Sequence, residues 1–199
     1  MMRYRQIAAT VLLTTLLAAC NTAPPTVYYT LDNDLLPVGS QPRPSLLVLP
    51  AALPELLDRP QWVLQTSDGQ VAIKESRRWA EPLRNEIARV IAGELGRLLD
   101  SSQVLAPNGG SPEFSADYRL RLDVQRLDVA LGKGVTIDVF WRLEPQQGKV
   151  LIGRSRVHEP AEGGEEAAYE QLLLAQRRAL RLVAKDIAAQ IQRSAPVTQ

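Results

Sequence analysis

Apolar and polar residues alternate from Tyr118 to Leu143, and a side-chain period of two sustained that long commits this part of the chain to strands. Gly132-Lys133-Gly134 interrupts the pattern and turns one strand back on the other. In the first strand Tyr118, Leu120, Leu122 and Val124 alternate with Arg119, Arg121, Asp123 and Gln125, after which the apolar phase moves to Leu127, Val129 and Leu131. A slip of one residue turns every later side chain over. The pattern therefore predicts a β-bulge, or a change of covered face, near Gln125-Arg126. Val135, Ile137, Val139, Trp141 and Leu143 share one face of the second strand, and Gln146-Gln147-Gly148 leads into a third at Val150 to Val157. Upstream, Gln61 to Thr66 and Gln70 to Glu75 flank Ser67-Asp68-Gly69, where Asp-Gly suits a tight hairpin. Leu46 to Leu49, closed by Pro50, reads as a buried strand, and Leu53, Leu56 and Leu57 as one short turn.

Helical periods border this sheet. From Trp79 onward Leu83, Ile87, Val90, Ile91, Leu95 and Leu98 form an apolar stripe, with Pro82 in the first turn, where a missing N–H costs nothing. The other face carries Arg84, Glu86, Arg89, Glu94 and Arg97 and is expected to be solvated; Asp100-Ser101-Ser102 ends the helix, and a loop with Pro107, Gly109, Gly110 and Pro112 follows. Beyond the loop Glu159 to Gly164, Glu165 and Glu166 complement the positive end of a last helix. Its stripe is Tyr169, Leu173, Leu180, Val183, Ile187 and Ile191, and Arg177, Arg178 and Arg181 read more simply as a solvated face than as a docking surface. The expected fold is α/β: a single domain, residues 46–199, with a mixed, largely antiparallel sheet packed by two long helices.

The N-terminus is of another kind. Arg3 and Arg5 precede an apolar run from Ile7 to Leu17 and then Leu17-Ala18-Ala19-Cys20, which is a signal-peptide pattern over residues 1–19. The run falls short of the ~20 apolar residues that span a bilayer. Cys20, the one cysteine, stands after small residues and before the proline-bearing stretch Asn21 to Thr26, so it has no core to enter, and Leu17-Ala18-Ala19-Cys20 resembles a lipobox, which implies lipid attachment at Cys20. Residues 20–45, with Pro24, Pro25, Pro37, Pro42 and Pro44, read as a lipidated tether with a short strand around Tyr28-Tyr29-Thr30-Leu31. No disulfide can form in the mature domain.

With 23 basic and 22 acidic residues and 5% aromatics, the chain lacks the clustered cations and interleaved rings of a nucleic-acid binder. Chemistry is equally thin. The one histidine, His158, sits at a strand end beside Glu159, where a surface pair is the simpler reading, and no Gly-x-Ser-x-Gly elbow accompanies it. One histidine and one acylated cysteine do not make a zinc site, so no metal or cofactor is expected. Gly109-Gly110, Gly163-Gly164 and Gly132-x-Gly134 are turns, not phosphate cradles. Asp123, Asp128 and Asp138 on neighbouring strands are the candidates for a carboxylate pair of the glycosidase kind, against the plainer role of keeping a sheet edge soluble. A non-catalytic carrier, adaptor or structural partner is the better expectation, with an envelope hydrolase third.

Tyr28-Tyr29-Thr30-Leu31, Leu53-Pro54-Glu55-Leu56-Leu57, Trp62-Val63-Leu64-Gln65-Thr66, Arg78-Trp79-Ala80-Glu81-Pro82-Leu83 and Trp141-Arg142-Leu143, in this order and spacing, resemble the ABC-type transport auxiliary lipoproteins, the family of paraquat-inducible protein C. Leu17-Ala18-Ala19-Cys20 resembles the lipobox of lipoprotein signal peptidase, which implies that Cys20 becomes a diacylglyceryl thioether, carries palmitate and ends as the first residue. Leu127 departs from the family, which often has an aromatic there. The resemblance implies a mixed α/β fold and an outer-membrane lipoprotein that works with a periplasmic MCE-domain protein and inner-membrane components in lipid transport between membranes, supporting envelope integrity. Asn21, in place of the aspartate that retains lipoproteins in the inner membrane, implies the periplasmic face of the outer membrane. Several copies around a tubular partner would fit this role. The alternative is a lipid-binding shuttle or assembly lipoprotein with its own acyl cavity.

Overall fold

The computed structural model describes residues 24–31, 39–67, 69–107, 115–161 and 168–194. The signal peptide, Cys20 and Asn21, Asp68 of the hairpin, Gly109 and Gly110, Gly163 and Gly164, and Glu165 and Glu166 lie outside the described residues.

Among the described residues eight strands and two helices follow one another as β1 (Val27–Tyr29), β2 (Leu46–Val48), β3 (Gln61–Ser67), β4 (Gln70–Trp79), α1 (Leu83–Leu98), β5 (Val104–Leu105), β6 (Tyr118–Ala130), β7 (Gly134–Pro145), β8 (Leu151–Glu159) and α2 (Ala168–Ser194). The α/β class and the two long helices are as the periods predicted, but the strands divide between two mixed sheets. One has the order β1-β4-β3 and the other β5-β2-β6-β7-β8. β6, β7 and β8 form an antiparallel meander, whereas β1 runs parallel to β4 and β2 runs parallel to both β5 and β6.

The bulge falls where the alternation breaks: pairing along β6 and β7 steps from Val124↔Val139 to Arg126↔Asp138 and leaves Gln125 over. The extra residue restores the phase. Leu127 and Val129 are consequently buried on the same face as Leu120, Leu122 and Val124. Val135, Ile137, Val139, Trp141 and Leu143 continue that face on β7, and α2 packs against β7 and β8. Gly153 lets β8 pass beneath Trp141, since a Cβ there would lie 2.2 Å from the indole ring.

The first helix begins later than its sequence period. Trp79 is the last residue of β4, its N–H donating to Pro60 O at 2.7 Å, and Pro82 is the N-cap, not a first-turn residue. Its carbonyl accepts from Asn85 N at 2.9 Å, so the first turn closes on the proline. The far end stops at Asp100, whose φ of 49° lies in the left-handed region that aspartate tolerates better than most residues. The Asp100 carboxylate then accepts from Ser40 N and Ser40 Oγ, each at 2.8 Å, which holds it below the usual carboxylate range. Asp117 does likewise where β2 meets β6. It accepts from Ser45 N and Ser45 Oγ at 2.9 and 2.8 Å and from Arg43 at 2.8 Å, while its own N–H donates to Ser45 Oγ. These bonds, Ser45 N first, lower its pKa.

Candidate functional site

The segment expected to tether the domain meets it at β1. Val27, Tyr28 and Tyr29 lie opposite Arg77, Arg78 and Trp79 of β4, and Ala80 N donates to Tyr29 O at 2.8 Å. The Tyr29 ring sits 4.8 Å from Trp62, which stacks on Trp79 at 4.8 Å, and Tyr169 from the first turn of α2 lies 5.8 Å from Trp62. Rings from β1, β3, β4 and α2 thus share one cluster, capped by the Arg77 guanidinium 4.8 Å over Tyr169. Burial pushes the Tyr29 phenol above its ordinary pKa, although Arg77 pulls the other way.

The next two residues are held by both helices. Leu31 N and Thr30 Oγ1 donate to Glu86 Oε2 at 2.7 and 2.9 Å, and Arg177 donates from Nε to Leu31 O and from Nη2 to Thr30 O at 2.9 and 3.0 Å. Glu86 is fully buried, and Arg89 approaches its second oxygen at 3.5 Å. Glu94, 2% exposed, accepts from Arg97 and Arg181. The expected solvated face of α1 is therefore wrong at these two carboxylates. They sit one turn from Val90 on either side, within the apolar stripe itself, and burying a carboxylate there is tolerable only because arginines and N–H groups meet it. Of the three arginines read as solvated, Arg177 is part-buried and bridges to β1, while Arg178 and Arg181 keep exposed side chains, Arg178 binding Glu159 Oε2 and Pro160 O, each at 2.8 Å, and Arg181 reaching α1. Spacing within one helix puts Glu86 and Glu94 on the covered side, but no local signal names partners 55 residues from Glu86 and 87 from Glu94.

The carboxylates proposed for acid–base work are held by arginine. Asp138 is buried on the outer face of the β6-β7-β8 meander, taking Arg154 Nε on Oδ1 at 2.7 Å and Arg156 Nη2 on Oδ2 at 2.7 Å. These bonds, that from Arg154 first, lower its pKa to about 2 against the opposing effect of burial. Asp128 pairs with Arg126, and Asp123 is exposed across from Phe140. His158 is not paired with Glu159, as the sequence reading had it. Its Nδ1 lies 2.9 Å from Thr136 Oγ1 on β7, while Glu159, on the other face of β8, turns to Arg178.

Among the described residues no three His, Cys, Asp or Glu side chains are grouped to hold a metal ion. An enclosed space among Leu57, Trp62, Trp79, Leu127 and Gln176 measures about 10 Å³, room for one water and far below what an acyl chain fills. An open groove of about 440 Å³ runs between Asp58-Arg59-Pro60 and the start of α1, floored by Trp79 and Leu83. No helix among the described residues is long and apolar enough to cross a membrane.

Comparison with known proteins agrees with this architecture. A crystal structure of an uncharacterized protein superimposes with a TM-score of 0.66 at 22% identity, covering 84% of this chain and 99% of the other. A protein from Xanthomonas campestris superimposes with a TM-score of 0.59 at 18% identity, covering 82% and 93%. Both likenesses show the fold. No curated protein matches the sequence significantly. The family model for the ABC-type transport auxiliary lipoprotein component matches residues 29–188, from β1 to the last turns of α2. The chain therefore belongs to the ABC-type transport auxiliary lipoprotein family.

Proposed function

We propose that this protein is the lipid-anchored, non-catalytic docking subunit of an MCE-type system that moves lipid between the two membranes and so maintains the envelope. The observation that carries the reading is the family match over residues 29–188. In this account the leader is removed before Cys20, the cysteine takes the diacylglyceryl thioether and palmitate, and the acyl chains sit in the periplasmic leaflet of the outer membrane. Several chains make dissociation negligible where one would not. The folded domain then receives the periplasmic end of an MCE-domain protein, whose inner-membrane components drive transport.

The pairing of Asp138 with Arg154 and Arg156, which lowers its pKa to about 2, supports a binding role over a catalytic one, because a general acid or base needs a proton it can release near working pH. The test is co-purification of the full-length lipoprotein from detergent-extracted membranes. An MCE-domain protein recovered above the level found with an unrelated lipoprotein is the expected result. Its absence would sink the proposal.

A further inference from the structure

The outer face of the meander gathers arginines in neighbouring rows. Arg121 of β6 lies opposite Arg142 of β7, and Arg142 opposite Ile152 of β8; the next row is Asp123, Phe140 and Arg154, and the next Arg126, Asp138 and Arg156. Like charges directly opposite each other destabilise a sheet. Here each close pair of arginines shares one carboxylate lying lower than they do. Arg121 and Arg142 both reach Glu144 Oε1, at 3.4 and 3.0 Å, and Arg154 and Arg156 both reach Asp138. The Asp138 side chain is 3% exposed while those of Arg154 and Arg156 are 57% and 68% exposed. In these three rows the exposed side chains are Asp123 and the guanidiniums of Arg121, Arg126, Arg142, Arg154 and Arg156, and amid them stand Phe140 and Ile152, exposed by 39% and 64%.

From this geometry we infer that the Arg121, Arg142, Arg154 and Arg156 face, with Phe140 at its centre and Ile152 at its edge, docks an acidic surface of a protein partner. Exposed arginines around apolar side chains are the composition of an interface core. Guanidinium forks bind carboxylates in two-point fashion, and the surplus positive charge selects and steers an acidic face. An anionic bilayer would also attract arginine, but position favours a protein. β1, where the anchored end of the chain joins the domain, is held by Arg177 of α2 and Glu86 of α1, and α2 packs on the inner face of the same meander. Cys20 precedes Val27, the first residue of β1, by seven residues, a reach of roughly 25 Å at most, so an anchor there keeps the β1 end nearest the membrane, and the arginine face lies on the side of the meander opposite the helix that holds β1.

This rests on the proposed docking role and names its surface, so the experiment compares variants within the same co-purification. In full-length lipoprotein, Arg121→Glu with Arg142→Glu should lower recovery of the MCE-domain protein about tenfold, and the double Gln variant should fall between it and wild type. The wild-type complex should weaken as salt is raised. Lys185→Glu, exposed on α2, should change nothing. Should the double Glu variant fail to fold, Ile152→Glu carries the same test at a side chain 64% exposed. Full recovery with a folded double Glu variant would overturn the inference and leave the docking role standing, whereas no MCE-domain protein even with wild type would remove both. If the substitutions spare recovery but abolish a preference for phosphatidylglycerol over phosphatidylcholine vesicles, the face belongs to the bilayer and the inference is wrong.

Discussion

Arg181 of α2 reaches across to α1 and donates from Nε to Glu94 Oε1 at 2.7 Å, joining the two helices through a carboxylate that water scarcely touches. Arg97, one turn on in α1, holds the other oxygen at 3.0 Å. Arg181→Ala should therefore cost only ~1 kcal/mol, because Arg97 remains and both guanidiniums are part-exposed, while Glu94→Ala should cost ~2–3 kcal/mol. A double-mutant cycle in urea unfolding measures the coupling, and additive losses would show that the bridge contributes nothing.

Glu86 fastens the N-terminal segment from beneath. Glu86→Ala leaves Leu31 N and Thr30 Oγ1 without this acceptor, at an expected ~2–4 kcal/mol. Limited proteolysis should then cut within residues 24–31 faster than in wild type. Unchanged cleavage there would mean that the aromatic cluster and Arg177 suffice.

Asp138 makes stability depend on acid. Its folded pKa of about 2 lies below the ordinary 3.8 of an aspartate, so the unfolded chain binds the extra proton first. The stabilisation is complete above about pH 4 and is lost as pH falls toward about 2. Asp138→Asn should flatten thermal stability against pH across that window and lower it by roughly 1–3 kcal/mol at pH 7, as charged hydrogen bonds become neutral ones.

Gly153 tolerates no side chain as β8 stands. Gly153→Ala would press a methyl group into Trp141, whose Nε1 donates to Ser155 Oγ at 3.3 Å, and should cost ~1–3 kcal/mol by overpacking. Trp141 fluorescence should shift with it. A stable variant with an unchanged spectrum would mean that the strand moves aside cheaply.

Cys20 carries the membrane attachment in this account. Cys20→Ser should leave a protein that folds with the same melting temperature but is released from membranes by osmotic shock, whereas wild type needs detergent. Retention of the serine variant in the membrane fraction would point to an attachment other than the lipid.

Local pattern carried much of this molecule. The period of two set β6, β7 and β8, and its break at Gln125 marked the bulge, because a strand cannot keep one face covered across an odd step. The helical stripes set α1 and α2 for the same reason, one buried face per element. Where β4 ended and α1 began was misread at Trp79, since a tryptophan buried at the end of a strand looks from the sequence like one buried in a first turn. What only the tertiary structure decided is which charges are spent inside and which are offered outside. The spacing of α1 puts Glu86 and Glu94 on its covered side, yet their partners, like those of Arg177 and Asp138, are decided only when separate elements bring arginines, carboxylates or backbone groups against them. A side chain's alternation or period follows from its neighbours along the chain, but its solvation and charge state follow from its neighbours in space.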